Sequence, residues 1–189
     1  MKKEKFKRIT EVAHQMLAGR IEPGDQVLDA TAGNGYDTLF LAEKVGETGK
    51  VYACDIQEEA IQHTRKRLQA HDMEQRVDLH LMSHADLPED WGPLAAAVFN
   101  LGYLPGSDET VITRAETTLM AVKKILTMLS KGGLLLLVVY VGHDGGKKEA
   151  EELESYIQDL PFKEYMVLKY QYINPANDPP YILAIEKKG

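Results

Sequence analysis

Val27-Leu28-Asp29-Ala30-Thr31-Ala32-Gly33-Asn34-Gly35-Tyr36-Asp37-Thr38 is the stretch from which the rest of the chain is read. It opens as a short apolar run, the pattern of a buried strand. Gly-Asn-Gly ends the run and passes straight into a helical pattern over residues 36–44, with Leu39, Phe40 and Ala42 expected inward. A strand, a glycine turn and a helix N-terminus together make a cradle of free backbone N–H groups. Glycines at 33 and 35 let the backbone approach a ligand where a Cβ would collide.

A dinucleotide fingerprint wants a third glycine where this chain has Thr38. Asp29 near the strand end would also meet a pyrophosphate charge to charge, whereas it suits a cation or an amine. Asp-x-x-x-Gly-x-Gly of this kind resembles motif I of the class I S-adenosylmethionine-dependent methyltransferases. The resemblance implies a glycine loop passing under the methionine and ribose of that cofactor. The plain alternative is an ordinary tight turn between strand and helix.

The chain has 189 residues, 44% hydrophobic and 27% charged, enough for one domain with a full core. Its longest apolar run, over residues 134–141, is of strand length, so no membrane span is expected. The basic start, MKKEKFKRIT, has no apolar segment after it, and no signal peptide is expected. A single cysteine, Cys54, excludes an internal disulfide and fits a cytoplasmic setting; within an apolar strand it reads as an inert buried thiol. A net charge of −7 argues against a general nucleic-acid coat. It leaves room for local basic patches at Lys2, Lys3, Lys5, Lys7 and Arg8 and at Lys147-Lys148, or for these as simple solvated faces.

In chain order, residues 4–18 form an amphipathic helix with Phe6, Ile9, Val12, Ala13, Met16 and Leu17 on one face. Pro23-Gly24-Asp25 turns into the first strand. Further strands are expected at 50–55, 76–82, 95–100 and 134–140, with helices at 58–70, 111–129 and 149–160. Residues 83–91 read as a loop or short helix. The last two strands, 165–173 and 181–186, have no helix between them. Alternating strands and helices demand a parallel, doubly wound α/β sheet, and the closing pair can only be antiparallel. The expectation is a seven-stranded, mostly parallel, Rossmann-like sheet with an antiparallel last strand. Residues 1–189 then make a single domain.

In such sheets ligands sit at the C-terminal ends of strands. The first strand delivers Asp29, Thr31 and the glycine loop. The second delivers Asp55 and Gln57, with Asp55 spaced to accept hydrogen bonds from both hydroxyls of a ribose or, alternatively, to cap the next helix. The third ends in Ser83-His84, a position that the resemblance to class I methyltransferases implies flanks the adenine ring; His84 also reads as a cap or a surface residue. The six histidines show no paired metal-ligand spacing, so no metal is expected. The fourth ends in Asn100-Leu101-Gly102-Tyr103, which keeps the frame of the Asn-Pro-Pro-Tyr element of amino-methylating enzymes but lacks its prolines. That frame suggests an amine carried on a ring.

These segments, with Leu104-Pro105-Gly106, Tyr140-Val141-Gly142-His143 and Asn177-Asp178-Pro179-Pro180, together resemble the bacterial YtqB/MnmM family of rRNA-methylase-like proteins over nearly the whole chain. The resemblance implies S-adenosylmethionine as cofactor, and as reaction the methylation of the amino group of 5-aminomethyl-2-thiouridine at the tRNA wobble position. It implies a cofactor site drawn from Asp29, Thr31, Gly33, Asn34, Gly35, Asp37, Thr38, Asp55, Gln57, Ser83, His84 and Asn100. Asn100, Tyr103 and His143 are its catalytic candidates; Tyr103, Leu104, Pro105, Tyr140, Asn177 and Asp178 are its substrate-binding ones. The partner it implies is the tRNA anticodon loop, whose unpaired base can be splayed into a pocket, and a homodimer is a further expectation. Asn-Asp-Pro-Pro alternatively reads as a rigid turn. His143, Asp144 or solvent could take the leaving proton. Rival expectations are methylation of a small-molecule amine or of rRNA, and a non-catalytic module that binds S-adenosylmethionine.

Overall fold

The computed structural model describes residues 6–102, 115–142, 146–175 and 177–189. Strands and helices alternate through them as α1 (Ile9–Ala18), β1 (Gln26–Asp29), α2 (Tyr36–Val45), β2 (Lys50–Asp55), α3 (Glu58–Gln69), β3 (Val77–Leu81), β4 (Leu94–Leu101), α4 (Ala115–Met128), β5 (Leu129–Val139), α5 (Gly146–Gln158), β6 (Tyr165–Tyr170) and β7 (Tyr181–Lys187). Residues 83–91, expected as loop or short helix, hold two short 3₁₀ turns, His84–Asp86 and Glu89–Trp91.

The sheet order is β3-β2-β1-β4-β5-β7-β6. The first five strands are parallel, and β7 is antiparallel to both β5 and β6. Chain order reverses between β1 and β4, which places the ligand crevice of a doubly wound sheet at their C-terminal ends.

Successive side chains on a strand point to opposite faces, so each central strand feeds two cores. Val27, Val51, Val98, Leu136 and Ile182 pack under α1, α2 and α3. Leu28, Phe99, Leu135, Leu137 and Leu183 pack under α4 and α5. This two-sided burial is why β4 and β5 read as nearly unbroken apolar runs. Between α4 and α5, Thr118 Oγ1 donates to the buried carboxylate of Glu149 at 2.6 Å. Burial pushes the Cys54 thiol up, as an inert core thiol requires.

Three local expectations change. In α2 the fully buried face is Thr38, Leu41, Ala42 and Val45, with Leu39 and Phe40 only half-buried. In α1, Ile9, Ala13 and Leu17 are buried while Phe6 is 89% exposed. Lys131-Gly132-Gly133, left between the helix expected at 111–129 and the strand expected at 134–140, lies inside β5, which already pairs at Leu129 with Leu94 and then slips register before Ala96. A Cβ at Gly133 would stand 2.9 Å from the Leu94 carbonyl oxygen, so the glycine serves close strand approach.

Candidate functional site

Three carboxylates organise the strand ends around the switch point. Asp29, at the end of β1, is completely buried. Its Oδ1 accepts the Thr31 N–H at 3.1 Å and its Oδ2 accepts the Thr38 hydroxyl at 2.6 Å. One side chain thereby ties the strand end to the first turn of α2. Burial, and next the nearby charge of Asp37, raise its pKa to about 7.

Asp55 plays a matching part from β2. Its Oδ2 accepts the Gly33 N–H at 3.0 Å and its Oδ1 the Gln57 N–H at 3.0 Å. It therefore holds the glycine loop and starts α3 in one stroke. Ile56, beside it, leaves a half-exposed apolar side chain.

The glycine loop is pinned from behind by α3. Gly33 and Gly35 have φ of 54° and 77°. Thr64 Oγ1 donates to the Gly33 carbonyl at 3.1 Å, and Arg67 Nε donates to the Asn34 carbonyl at 2.7 Å. The Asn34 side-chain oxygen lies 3.2 Å from His63 Nδ1. A Cβ on Gly35 would sit 2.8 Å from Thr64 Cα. The sequence pattern alone assigns that collision to a ligand; in the fold, helix packing demands it.

Asp37, in the first turn of α2, gathers residues from three other elements. Its Oδ2 accepts the Asn100 side-chain N–H at 2.7 Å, and its Oδ1 lies 2.6 Å from His14 Nε2 of α1. The Asn100 main-chain N–H donates to Thr31 Oγ1 at 2.8 Å. Tyr140, just past β5, sits close enough that Asp37, after burial, raises its pKa. A carboxylate only accepts hydrogen bonds, so the Asn100 NH₂ must face Asp37. Its Oδ1 is thereby fixed as an acceptor on the other side of the amide.

At the end of β3 the chemistry is different. Ser83 Oγ caps the following turn by accepting the Ala85 N–H at 3.1 Å. His84 is 8% exposed, packs at 4.7 Å between ring centroids against Phe99, and its Nε2 has no hydrogen-bond partner among the described residues. Burial lowers its pKa to about 4, which keeps the imidazole neutral.

Tyr103, Leu104, Pro105 and His143 lie outside the described residues. Asn177 and Asp178 are exposed on the connection between β6 and β7, where Asp178 pairs with Lys147 at 2.7 Å. Lys148 lies 3.8 Å from Glu152, so neither lysine of that basic pair is unengaged. Sequence reasoning missed His14 and Thr64. His14 carries no motif signal, and Thr64 looks like any residue on a helix face. Among the described residues no helix is long and apolar enough to cross a membrane.

Three kinds of similarity bear on this site. Residues 51–186 match the profile of a family described as "Putative rRNA methylase". A curated relative from Arabidopsis thaliana, the chloroplastic tRNA (mnm(5)s(2)U34)-methyltransferase, is 38% identical over 194 residues, covering 97% of this chain and 71% of its own. Among solved structures, an rRNA-methylase-type protein from Clostridium thermocellum superposes with a TM-score of 0.93 at 38% identity, over 97% of this chain and all of that one. A Streptococcus mutans methyltransferase in complex with SAH gives 0.87 at 38% identity, over 97% of this chain and 99% of that one.

Proposed function

The chain belongs to the rRNA methylase family, and from that premise we propose that it methylates the amino group of 5-aminomethyl-2-thiouridine at the tRNA wobble position, with S-adenosylmethionine as donor. The observation that carries this reading is the Asn100 amide, oriented by Asp37 so that an acceptor oxygen is presented at the end of β4. The name of the Arabidopsis relative supports the choice of substrate.

The strand ends fit the cofactor. Asp55 is a carboxylate in the place suited to a ribose, and Gly33-Asn34-Gly35 gives close backbone approach, with Asp29 and Thr38 as its brace. Ile56 offers an apolar surface, and the orphaned His84 Nε2 is a buried polar atom that a base carrying its own hydrogen-bonding edge would satisfy. S-adenosylmethionine held there would supply an electrophilic methyl group on its sulfonium to the amine, with water as the sink for the proton released.

What this chain must supply is positioning rather than strong base catalysis, because a neutral primary amine is already a good nucleophile. Asn100 Oδ1 accepts an N–H of the amine, which leaves the lone pair free and aimed at the methyl group. Tyr103 stacks on the uracil ring in this reading, and Tyr140, Leu104, Pro105, Asn177 and Asp178 border the base; His143 is a second acceptor for the proton. We further take residues 1–189 as one catalytic domain, working in the cytoplasm on the anticodon loop, with a homodimer as the expected assembly.

The test uses tRNA from cells lacking this gene, incubated with the protein and S-adenosylmethionine, then digested for mass spectrometry of wobble nucleosides. A gain of one methyl on 5-aminomethyl-2-thiouridine is expected. Turnover of free amines without any change in tRNA would replace the tRNA reading by the small-molecule one.

A further inference from the structure

We propose that His14 is a positioning residue of the methyl-transfer site, acting through Asp37 to hold the Asn100 amide in its productive orientation; the catalytic meaning of that orientation rests on the function proposed above. Three contacts carry the proposal. His14 Nε2 lies 2.6 Å from Asp37 Oδ1, the second carboxylate oxygen takes the Asn100 NH₂ at 2.7 Å, and the His14 ring lies flat on Phe40 with centroids 4.0 Å apart and planes 4° from parallel. Asp37 and Phe40 are three residues apart on α2, so they share a face, and one imidazole covers both.

The chemistry of each atom is forced in turn. The carboxylate has no hydrogen to give, so His14 Nε2 must carry one, and Asn100 must present its nitrogen rather than its oxygen. His14 and Asp37 side chains are 30% and 21% exposed, which leaves the carboxylate within reach of water once its histidine partner is gone. A carboxylate turned to water releases the amide of Asn100. A flipped amide would offer N–H where the oxygen stood, and donate it to the very lone pair that must attack the methyl group. Holding Asp37 thus protects the nucleophile from being capped. It also gives α1 a part in the chemistry. Ile9, Ala13 and Leu17 anchor the helix on the sheet, and the face bearing His14 reaches the site.

The experiment compares wild type with His14→Ala and His14→Gln, the glutamine restoring an N–H donor without the ring. Asn100 side-chain ¹⁵N–¹H signals, identified by their loss in Asn100→Ala, report the amide directly and need no substrate. We expect them shifted and faster exchanging in His14→Ala and moved back in His14→Gln. On tRNA, kcat falls about 10- to 100-fold in His14→Ala, the range a small misplacement produces, while the KM for S-adenosylmethionine stays put and His14→Gln recovers most of the loss. Unmoved Asn100 signals overturn the proposal. So does a kcat loss that follows falling thermal stability and is not rescued by glutamine. An Asn100 signature that responds as expected, in a wild-type protein that leaves tRNA unmethylated, refutes the substrate instead and keeps the His14–Asp37–Asn100 link.

Discussion

Around the ends of β1 and β2 and the start of α2, both oxygens of Asp29, Asp37 and Asp55 are engaged, whereas at the end of β3 the Nε2 of His84 has no partner among the described residues. The first flank is built by the protein for itself. Its hydrogen bonds run from loop to strand to helix and form without a ligand, so geometry there is set in advance, while the Asp55 oxygens, each with one donor, keep lone pairs for further ones. The second flank keeps a buried polar atom unmatched, an arrangement that costs free energy until something supplies a partner. A site that must aim a lone pair needs rigidity where the reaction happens. If a flat base sits at the other flank, as proposed above, the unmet His84 atom is what rewards it.

The contrast can be broken most severely at Asn100. Asn100→Ala removes the acceptor while sparing Asp55 and the glycine loop; methyl transfer should fall by about 100-fold or more, with S-adenosylmethionine affinity by calorimetry unchanged. Full turnover would dismiss the amine-holding role. Asp55→Ala attacks the other function of the rigid flank. It frees the Gly33 and Gln57 N–H groups and removes the ribose partner, and hydrogen bonds to a charged group are worth ~1.5–3 kcal/mol. Cofactor affinity should drop roughly 10- to 100-fold.

Gly35→Ala asks how much of the rigidity comes from α3. The left-handed φ of 77° costs an alanine about 1–2 kcal/mol before any clash, and the new Cβ meets a main-chain atom of Thr64. Tm should fall by about 5 °C or more. Thr64→Ala should not rescue it, since the colliding atom is Cα; rescue would place the conflict in the side chain.

The remaining effects are pH slopes of opposite sign. Asp29 titrates at about 7 in the fold against an ordinary 3.8, so the folded protein holds a proton that the unfolded chain has lost. Its contribution is intact below pH 4 and is lost as pH rises toward 7. His84 titrates at about 4 against 6.5, so the unfolded chain takes up a proton that the folded one refuses. Stability from that source is lost as pH falls from 6.5 to 4. Asn at position 29 keeps an acceptor for Thr31 and can donate to Thr38. Thermal melts of Asp29→Asn should therefore stay level between pH 4 and 8 relative to wild type, and those of His84→Leu should lose the acid-side decline. Melting curves that run parallel to wild type in both variants would sink the assignment.

Much of the fold was legible because it rests on short-range signals. The strand-glycine-helix turn at 27–38, the spacing to Asp55 and the alternation of elements are each local in sequence. What escaped depends on contacts across long separations. His14 meets Asp37 23 residues away, and Asn100 meets it 63 residues away. Gly35 stands out in the sequence, but its neighbour is Thr64, which no local pattern announces. Gly132-Gly133 fits the grammar of a helix stop, yet Leu94 pairs with Leu129, and the ladder runs straight through the glycines.

The sheet order also sets a timetable for biosynthesis. β7 follows β6 in the chain but lies between β5 and β6, and among the described residues β6 pairs with no other strand. While a ribosome is still making the final strand, the apolar edge of β5 from Leu134 to Val139 stands open, and at roughly 5–20 residues per second that interval lasts a few seconds. An open apolar edge is a template for pairing with the wrong chain. The closing strand is therefore a latch as well as a wall: until Tyr181–Lys187 is in place, neighbouring nascent chains compete for the same edge.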